Sequence, residues 1–160
     1  MKILIDADGT NRTALTTKIA KKFKIPLKLY CDSSRILHSD YAEIVYSDVR
    51  PEATDITLLN QCQKNDIVIT QDIGLASIAL AKGAKVLHCS GRILNNKQID
   101  MELMYRGIKQ HMKKHTKHMS QVRKVHLNQN QKVHYNFGQN LTKLIKESLK
   151  TKEMQTNEME

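Results

Sequence analysis

Three features of the 160-residue sequence predict an α/β fold. Short, β-branched-rich apolar runs stopped by polar residues read as buried strands, most strongly at Ile67-Val68-Ile69-Thr70 and at Ile3-Leu4-Ile5. Stretches with apolar residues at helical spacing separate these runs. Strands alternating with helices imply right-handed βαβ crossovers, and hence a mainly parallel sheet covered on both faces. The expectation is a three-layer αβα domain built on a five-stranded sheet.

Each element follows in order. After the Ile3–Ile5 strand, Leu15, Ile19, Ala20 and Phe23 make one apolar stripe while Lys18, Lys21 and Lys22 face away, with Thr10 or Asn11 as the N-cap and Pro26 as the stop. Leu27 to Tyr30 is the second strand and Ala42 to Tyr46 a weaker third. Pro51 opens a helix in which Asp55, Leu58, Leu59 and Cys62 share a face, and Asn65-Asp66 makes the turn into the fourth strand, 67–70. Ile73 to Ala81 reads as a buried helix closed by Gly83, and Val86-Leu87 as the fifth strand. Asn96 caps a helix whose Met101, Met104, Tyr105, Ile108 and Met112 form a stripe, most simply core. A polar, mobile segment from about 116 to 139 then leads to a last helix, Leu141 to Leu149. The expected organisation is one domain over residues 1–150, with a basic, partly mobile segment at 106–138 and a frayed tail at 151–160.

Composition narrows the functional classes. Apolar residues make up 40 % and charged residues 26 %, ordinary globular usage, and a net charge of +10 suggests a polyanionic partner. The excess is local: residues 106 to 124 carry Arg106, Lys109, Lys113, Lys114, Lys117, Arg123 and Lys124 with no acid, while the rest of the chain sums to only +3. That pattern reads as one contact patch, although a solvated basic face is the bland alternative. Cys31, Cys62 and Cys89 are three cysteines at wide spacing, without a C-x-x-C pair, and are expected to be reduced and buried. Four apolar residues before Asp6 are too few for a signal peptide, and no run approaches a membrane span, so a cytoplasmic microbial protein is the default reading. Gly-rich phosphate loops and a G-x-S-x-G elbow are missing from the sequence.

In an open parallel sheet, ligands bind beyond the carboxyl ends of the strands. Here those ends carry acids: Asp6-Ala7-Asp8 after strand one and Asp72 after strand four, with Asp55 in a first helical turn. Neighbouring strands would bring these carboxylates into one crevice, where like charges raise one another's pKa or require a cation, and a hard divalent ion, Mg2+ or Mn2+, satisfies them. Such a cluster suits phosphodiester hydrolysis, with the basic patch holding the flanking backbone. Each acid also has a local reading: an N-cap for Asp72, the helix dipole for Asp55, an Asx-turn for Asp6 and Asp8. His111, His115 and His118 line one helical face, as an exposed basic surface more simply than as transition-metal ligands.

Asp6-Ala7-Asp8, Ala53-Thr54-Asp55 and the segment Asp66-Ile67-Val68-Ile69-Thr70-Gln71-Asp72-Ile73-Gly74-Leu75-Ala76 together resemble the YaiI/YqxD family of bacterial proteins. The resemblance runs from residue 1 to about 118 and includes Gly91-Arg92-Ile93 and Asn96. That family is grouped with PIN-like domains, and Thr70-x-Asp72-x-x-Leu75-Ala76 is similar to the Thr-x-Asp signature of PIN ribonucleases. The resemblance implies that Asp6, Asp55 and Asp72 hold the metal, that Asp8 is an additional acid, and that the Thr70 hydroxyl orients Asp72. Two departures stand out: Gly9-Thr10-Asn11 replaces the family's Ala-Cys-Pro, and His126 to Phe137 replaces a Gly-Pro-rich stretch. The expected function is a Mg2+- or Mn2+-dependent nuclease acting on RNA, with Asp6, Asp8, Asp55 and Asp72 as catalytic and metal-binding residues. The alternatives are a nucleic-acid-binding or regulatory protein without turnover and a hydrolase of small phosphoesters.

Overall fold

The computed structural model describes residues 1–115 and 135–157, with side chains described through 108 and over 135–151. Its strands are β1 (Ile3–Asp6), β2 (Leu27–Asp32), β3 (Glu43–Ser47), β4 (Ile67–Thr70), β5 (Lys85–His88) and β6 (Ile93–Leu94), and its helices α1 (Thr13–Phe23), α2 (Ala53–Gln61), α3 (Ile73–Ala81), α4 (Asn96–His115) and α5 (Phe137–Asn157). The sheet order is β3-β2-β1-β4-β5-β6. The first five strands pair in parallel, and β6 adds an antiparallel edge through Val86↔Leu94 and Leu87↔Ile93. The α/β class and the layering are as expected; the sixth strand is an addition. Its two residues, just after the turn at positive-φ Gly91, are too short to give a run signal in the sequence.

Side-chain alternation divides the sheet into two cores. Ile3, Ile5, Leu27, Leu29, Cys31, Ile67, Ile69 and Leu87 face Ala20 of α1 and Phe137, Leu141, Leu144 and Ile145 of α5. Leu4, Tyr30, Val68 and Val86 face Leu58 and Cys62, the Ile73, Leu75, Ala76 and Ala79 face of α3, and Ile99 of α4. Asp6 follows Leu4 in this alternation, which turns its carboxylate toward the α2–α3 layer. At the opposite edge, buried Asp66 accepts hydrogen bonds from the backbone N–H groups of Lys2 and Gln63 and pairs with Lys2 Nζ at 2.7 Å, tying β1 to β4.

Several boundaries move. α1 is preceded by Arg12, whose backbone N–H donates to Thr10 Oγ1, and ends at Lys24 in the left-handed conformation, before Pro26. Among its residues Thr16 and Ala20 are buried, whereas Leu15 is exposed. α2 starts at Ala53, two residues after Pro51, with Glu52 left-handed at its head. Asn95, one residue before the expected cap, exchanges hydrogen bonds with Gln98 at the start of α4.

The methionine stripe is a correction. Met101, Met104, Tyr105 and Ile108 are exposed, because the face of α4 that turns inward is the one carrying Ile99, Glu102 and Arg106. The side chain of Met112 lies outside the described residues. α5 begins at Phe137, before the expected Leu141, and continues to Asn157, taking in residues 151–157 of the expected tail. Cys31 and Cys62 are buried free thiols, while Cys89 is only half-buried. Among the described residues, no helix is long and apolar enough to cross a membrane.

Candidate functional site

The strand order reverses between β1 and β4, and a crevice opens there beyond the carboxyl ends of the strands. It is a cleft of about 600 Å3 lined by Asp6, Asp8, Asp32, Glu52, Asp55 and Asp72, together with Gly9, Thr54, Gln71, Arg50 and Arg106. All four aspartates singled out in the sequence therefore meet at one opening. Six carboxylates against two arginines make it strongly acidic.

Each carboxylate is placed by a different device. Asp6, the last residue of β1, is 8 % exposed, and its Oδ2 accepts a hydrogen bond from Thr70 Oγ1 at 3.1 Å. The Thr70 hydroxyl in turn accepts from the Asp72 backbone N–H at 3.0 Å. Thr70 thus fixes the side chain of Asp6 and the main chain of Asp72, where the resemblance implied that it orients the Asp72 side chain. Asp72 is the N-cap of α3: Oδ1 accepts from the N–H groups of Gly74 and Leu75, which accounts for one of its oxygens. Asp55 projects from the first turn of α2.

Asp8 is held differently. Its Oδ1 pairs with Arg35 at 3.2 Å, and its Oδ2 accepts from the Asp32 N–H at 3.1 Å and the Thr54 hydroxyl at 3.5 Å. The i, i+2 spacing predicts that Asp6 and Asp8 point the same way, but strand geometry stops at Asp6. Asp6 turns to β4 and Asp8 to β2 and α2.

Crowding of like charges shows in the proton affinities. Asp55 is pushed up to about 6, first by burial and then by repulsion from Asp6, Asp72, Glu52 and Asp8. Asp6 is also raised, chiefly by burial, with the Thr70 hydrogen bond opposing and Asp8 adding to the rise. Among the described residues, no three His, Cys, Asp or Glu side chains are placed to enclose an ion together. An all-carboxylate set suits Mg2+ or Mn2+ over softer metals, and Mg2+ keeps several waters and needs only one or two protein carboxylates. The donor chemistry of Asp6, Asp55 and Asp72 fits such an ion on those terms.

Of the predicted basic contacts, Arg106 reaches the cleft. Lys109, Lys113 and Lys114 lie on α4 with side chains outside the described residues, as do His111 and His115. Lys117, Arg123, Lys124 and His118 lie outside the described residues altogether. Sequence reading missed Arg50 and Glu52, which line the cleft from the turn before α2, and Gln71, which lies so close to Gly9 that a Cβ there would meet its Nε2 at 2.8 Å. The left-handed conformation of Glu52 has no sequence signature, since a glycine or asparagine marks such a position far more often.

A protein-family model described as "Uncharacterized BCR, YaiI/YqxD family" matches residues 4–147. The chain belongs to the YaiI/YqxD family. Among its relatives, a UPF0178 protein of Clostridium acetobutylicum is 39 % identical over 130 residues, covering 76 % of this chain and 88 % of that protein. UPF0178 proteins of Lachnoclostridium phytofermentans and Alkaliphilus oremlandii are each 42 % identical, covering 73 % and 78 % of this chain and 78 % and 80 % of their own. No solved structure matches the chain. The YaiI/YqxD match takes in every aspartate of the cleft and continues into α5, beyond the extent of the motif resemblance.

Proposed function

We propose that this YaiI/YqxD protein is a divalent-metal-dependent nuclease acting on RNA, with the PIN-like arrangement that its motifs resemble. The observation that carries the reading is the meeting of Asp6, Asp8, Asp55 and Asp72 at the β1–β4 switch point, where burial and then the neighbouring carboxylates raise Asp55 to about 6. One or two carboxylates among Asp6, Asp55 and Asp72 would hold Mg2+ or Mn2+ together with water, with Asp8 beside them. The chemistry a bound ion of this kind supplies is activation of a water and neutralisation of charge on the scissile phosphate.

The rest falls to the chain's own groups. Thr70 holds the Asp6 carboxylate in one orientation, so that no reorganisation is needed when charge develops. Arg50 and Arg106, on the cleft wall, offer charge-assisted hydrogen bonds to phosphate oxygens. Gly9 keeps the floor open for the Gln71 amide. Lys109, Lys113, Lys114, Lys117, Arg123 and Lys124 follow Arg106 in sequence and would hold flanking backbone without sequence readout.

The test is cleavage of labelled single-stranded RNA in Mg2+ and in Mn2+. Wild type is expected to cleave and Asp72→Asn to lose at least a hundredfold; equal background from both proteins contradicts the nuclease reading. A second reading, nucleic-acid binding without turnover, is favoured by two features: Asp8 is committed to Arg35, and one oxygen of Asp72 is spent on its cap. It expects salt-dependent binding with no cleavage, and equal affinity after neutralising Lys113, Lys114 and Lys117 counts against it.

A further inference from the structure

Lysines that look like background in the sequence gather on the sheet face opposite the cleft. α1 and α5 lie side by side there, with Gly138 against Leu15 and Ile19. Between them runs a groove of about 640 Å3 lined by Lys143, Lys146 and Lys150, with Thr142, Asn136 and Ile19. Spacings of three and four put the three lysines on one face of α5. All three are exposed, and none forms an ion pair among the described residues. Glu147, the acid that lines the groove, faces Lys85 at 3.8 Å. Ile19 is the α1 residue that lines the groove; α1 carries no acid, and its exposed Lys18 and Lys22 lie outside the lining.

One loop, between β1 and α1, runs from the cleft toward the head of this groove. Gly9 lines the cleft. Three residues on, Arg12 stacks on Phe137 with its guanidinium carbon 5.3 Å from the ring centre, and Asn136 and Gly138 on either side of Phe137 line the groove. The loop between β1 and α1 thus leads over the sheet edge from the carboxylates to the lysines. From Gly138 to Lys150 the helix rises about 18 Å, room for several nucleotides of a single strand.

We propose that the α1–α5 groove holds the backbone of single-stranded RNA on its way from the cleft. Charge complementarity selects a polyanion, since the groove sets three lysines against one acid, Glu147, which itself faces Lys85. A single strand is the more flexible form, and following the β1–α1 loop costs it less deformation than it costs a duplex. The direction of the route rests on the nuclease reading of the cleft; the affinity of the groove does not.

Fluorescence anisotropy with an unstructured, end-labelled RNA long enough to span cleft and groove, run in EDTA across a KCl series, tests the proposal. Replacing Lys143, Lys146 and Lys150 together by Gln is expected to weaken binding at least tenfold and to flatten the log–log salt slope by about 2, from ~0.7 per phosphate contact. The Lys→Arg triple variant is expected to retain wild-type affinity. Unchanged affinity and slope in the Gln variant overturn the proposal, as does failure of wild type to bind RNA, or binding to phosphatidylserine vesicles in its place. Cleavage by wild type in Mg2+ is scored separately. Cleavage without a groove effect removes the groove alone, and a groove effect without cleavage removes the nuclease reading alone.

Discussion

Asp72 does two jobs that substitution can separate. Removing its cap by Asp72→Ala leaves the first N–H groups of α3 without a partner, at a cost of about 1 kcal/mol, or roughly 2–4 °C in Tm. Asp72→Asn keeps a capping oxygen, so its Tm is expected near wild type while cleavage falls. Thermal unfolding beside the cleavage assay checks both. Asp55 supplies a pH signature. Its folded pKa, about 6, lies above the ordinary 3.8, so the folded state holds the proton more tightly. The associated stability is complete below about pH 4 and is lost as pH rises through 6. Solvent contact at the cleft reduces this to on the order of 1 kcal/mol, and Asp6 adds in the same direction. In EDTA, Tm is therefore expected to fall by a few degrees between pH 5 and pH 7, and Mg2+ is expected to restore it, because a ligand held by the native state alone stabilises that state. At this scale the sequence was informative about Asp6 and Asp72, which directly end or follow strongly apolar strands. It was silent on Arg50 and Glu52, whose place depends on a left-handed turn that their residue types do not announce.

Elements carry the site through two fastenings outside the cleft lining. The buried Lys2–Asp66 pair joins β1 to β4 at the edge opposite the cleft, and Asp66 also accepts two backbone N–H groups. Asp66→Ala leaves those donors unpaired in the interior, with an expected loss of 3–5 kcal/mol, about the cost of breaking a buried pair; urea denaturation measures it. Gly91 makes the second. It is buried at φ 95°, and a Cβ there would stand 2.9 Å from Phe137 N and 3.0 Å from Tyr135 O. Gly91→Ala is therefore expected to lower stability by about 1–3 kcal/mol and to loosen the start of α5. The core strands were legible because their apolar runs are short and uninterrupted, as at Ile67–Thr70. The α4 stripe was misleading: periodicity shows that a helix has an apolar face, and only packing shows whether that face is covered. Here Ile99 and the Arg92–Glu102 pair set the rotation of α4, bringing Arg106 to the cleft and leaving Met101 and Met104 outside.

For the whole molecule, charge is divided by sheet edge and face. Acids collect at the carboxyl edge between β1 and β4, while Lys143, Lys146 and Lys150 of α5 line a groove on one outer layer. Net charge alone, +10, hides the acidic cleft that the proposed nucleic-acid partner would have to approach. The cleft becomes hospitable to phosphate once a doubly charged cation offsets its carboxylates, which makes metal occupancy the central claim. Binding of Mn2+, followed by electron paramagnetic resonance at neutral pH, tests that claim most directly. Wild type is expected to bind the ion with an affinity that rises as pH passes 6, and Asp6→Asn to bind at least tenfold more weakly, about 1.4 kcal/mol. Equal Mn2+ binding by wild type and Asp6→Asn, or none by either, would contradict it.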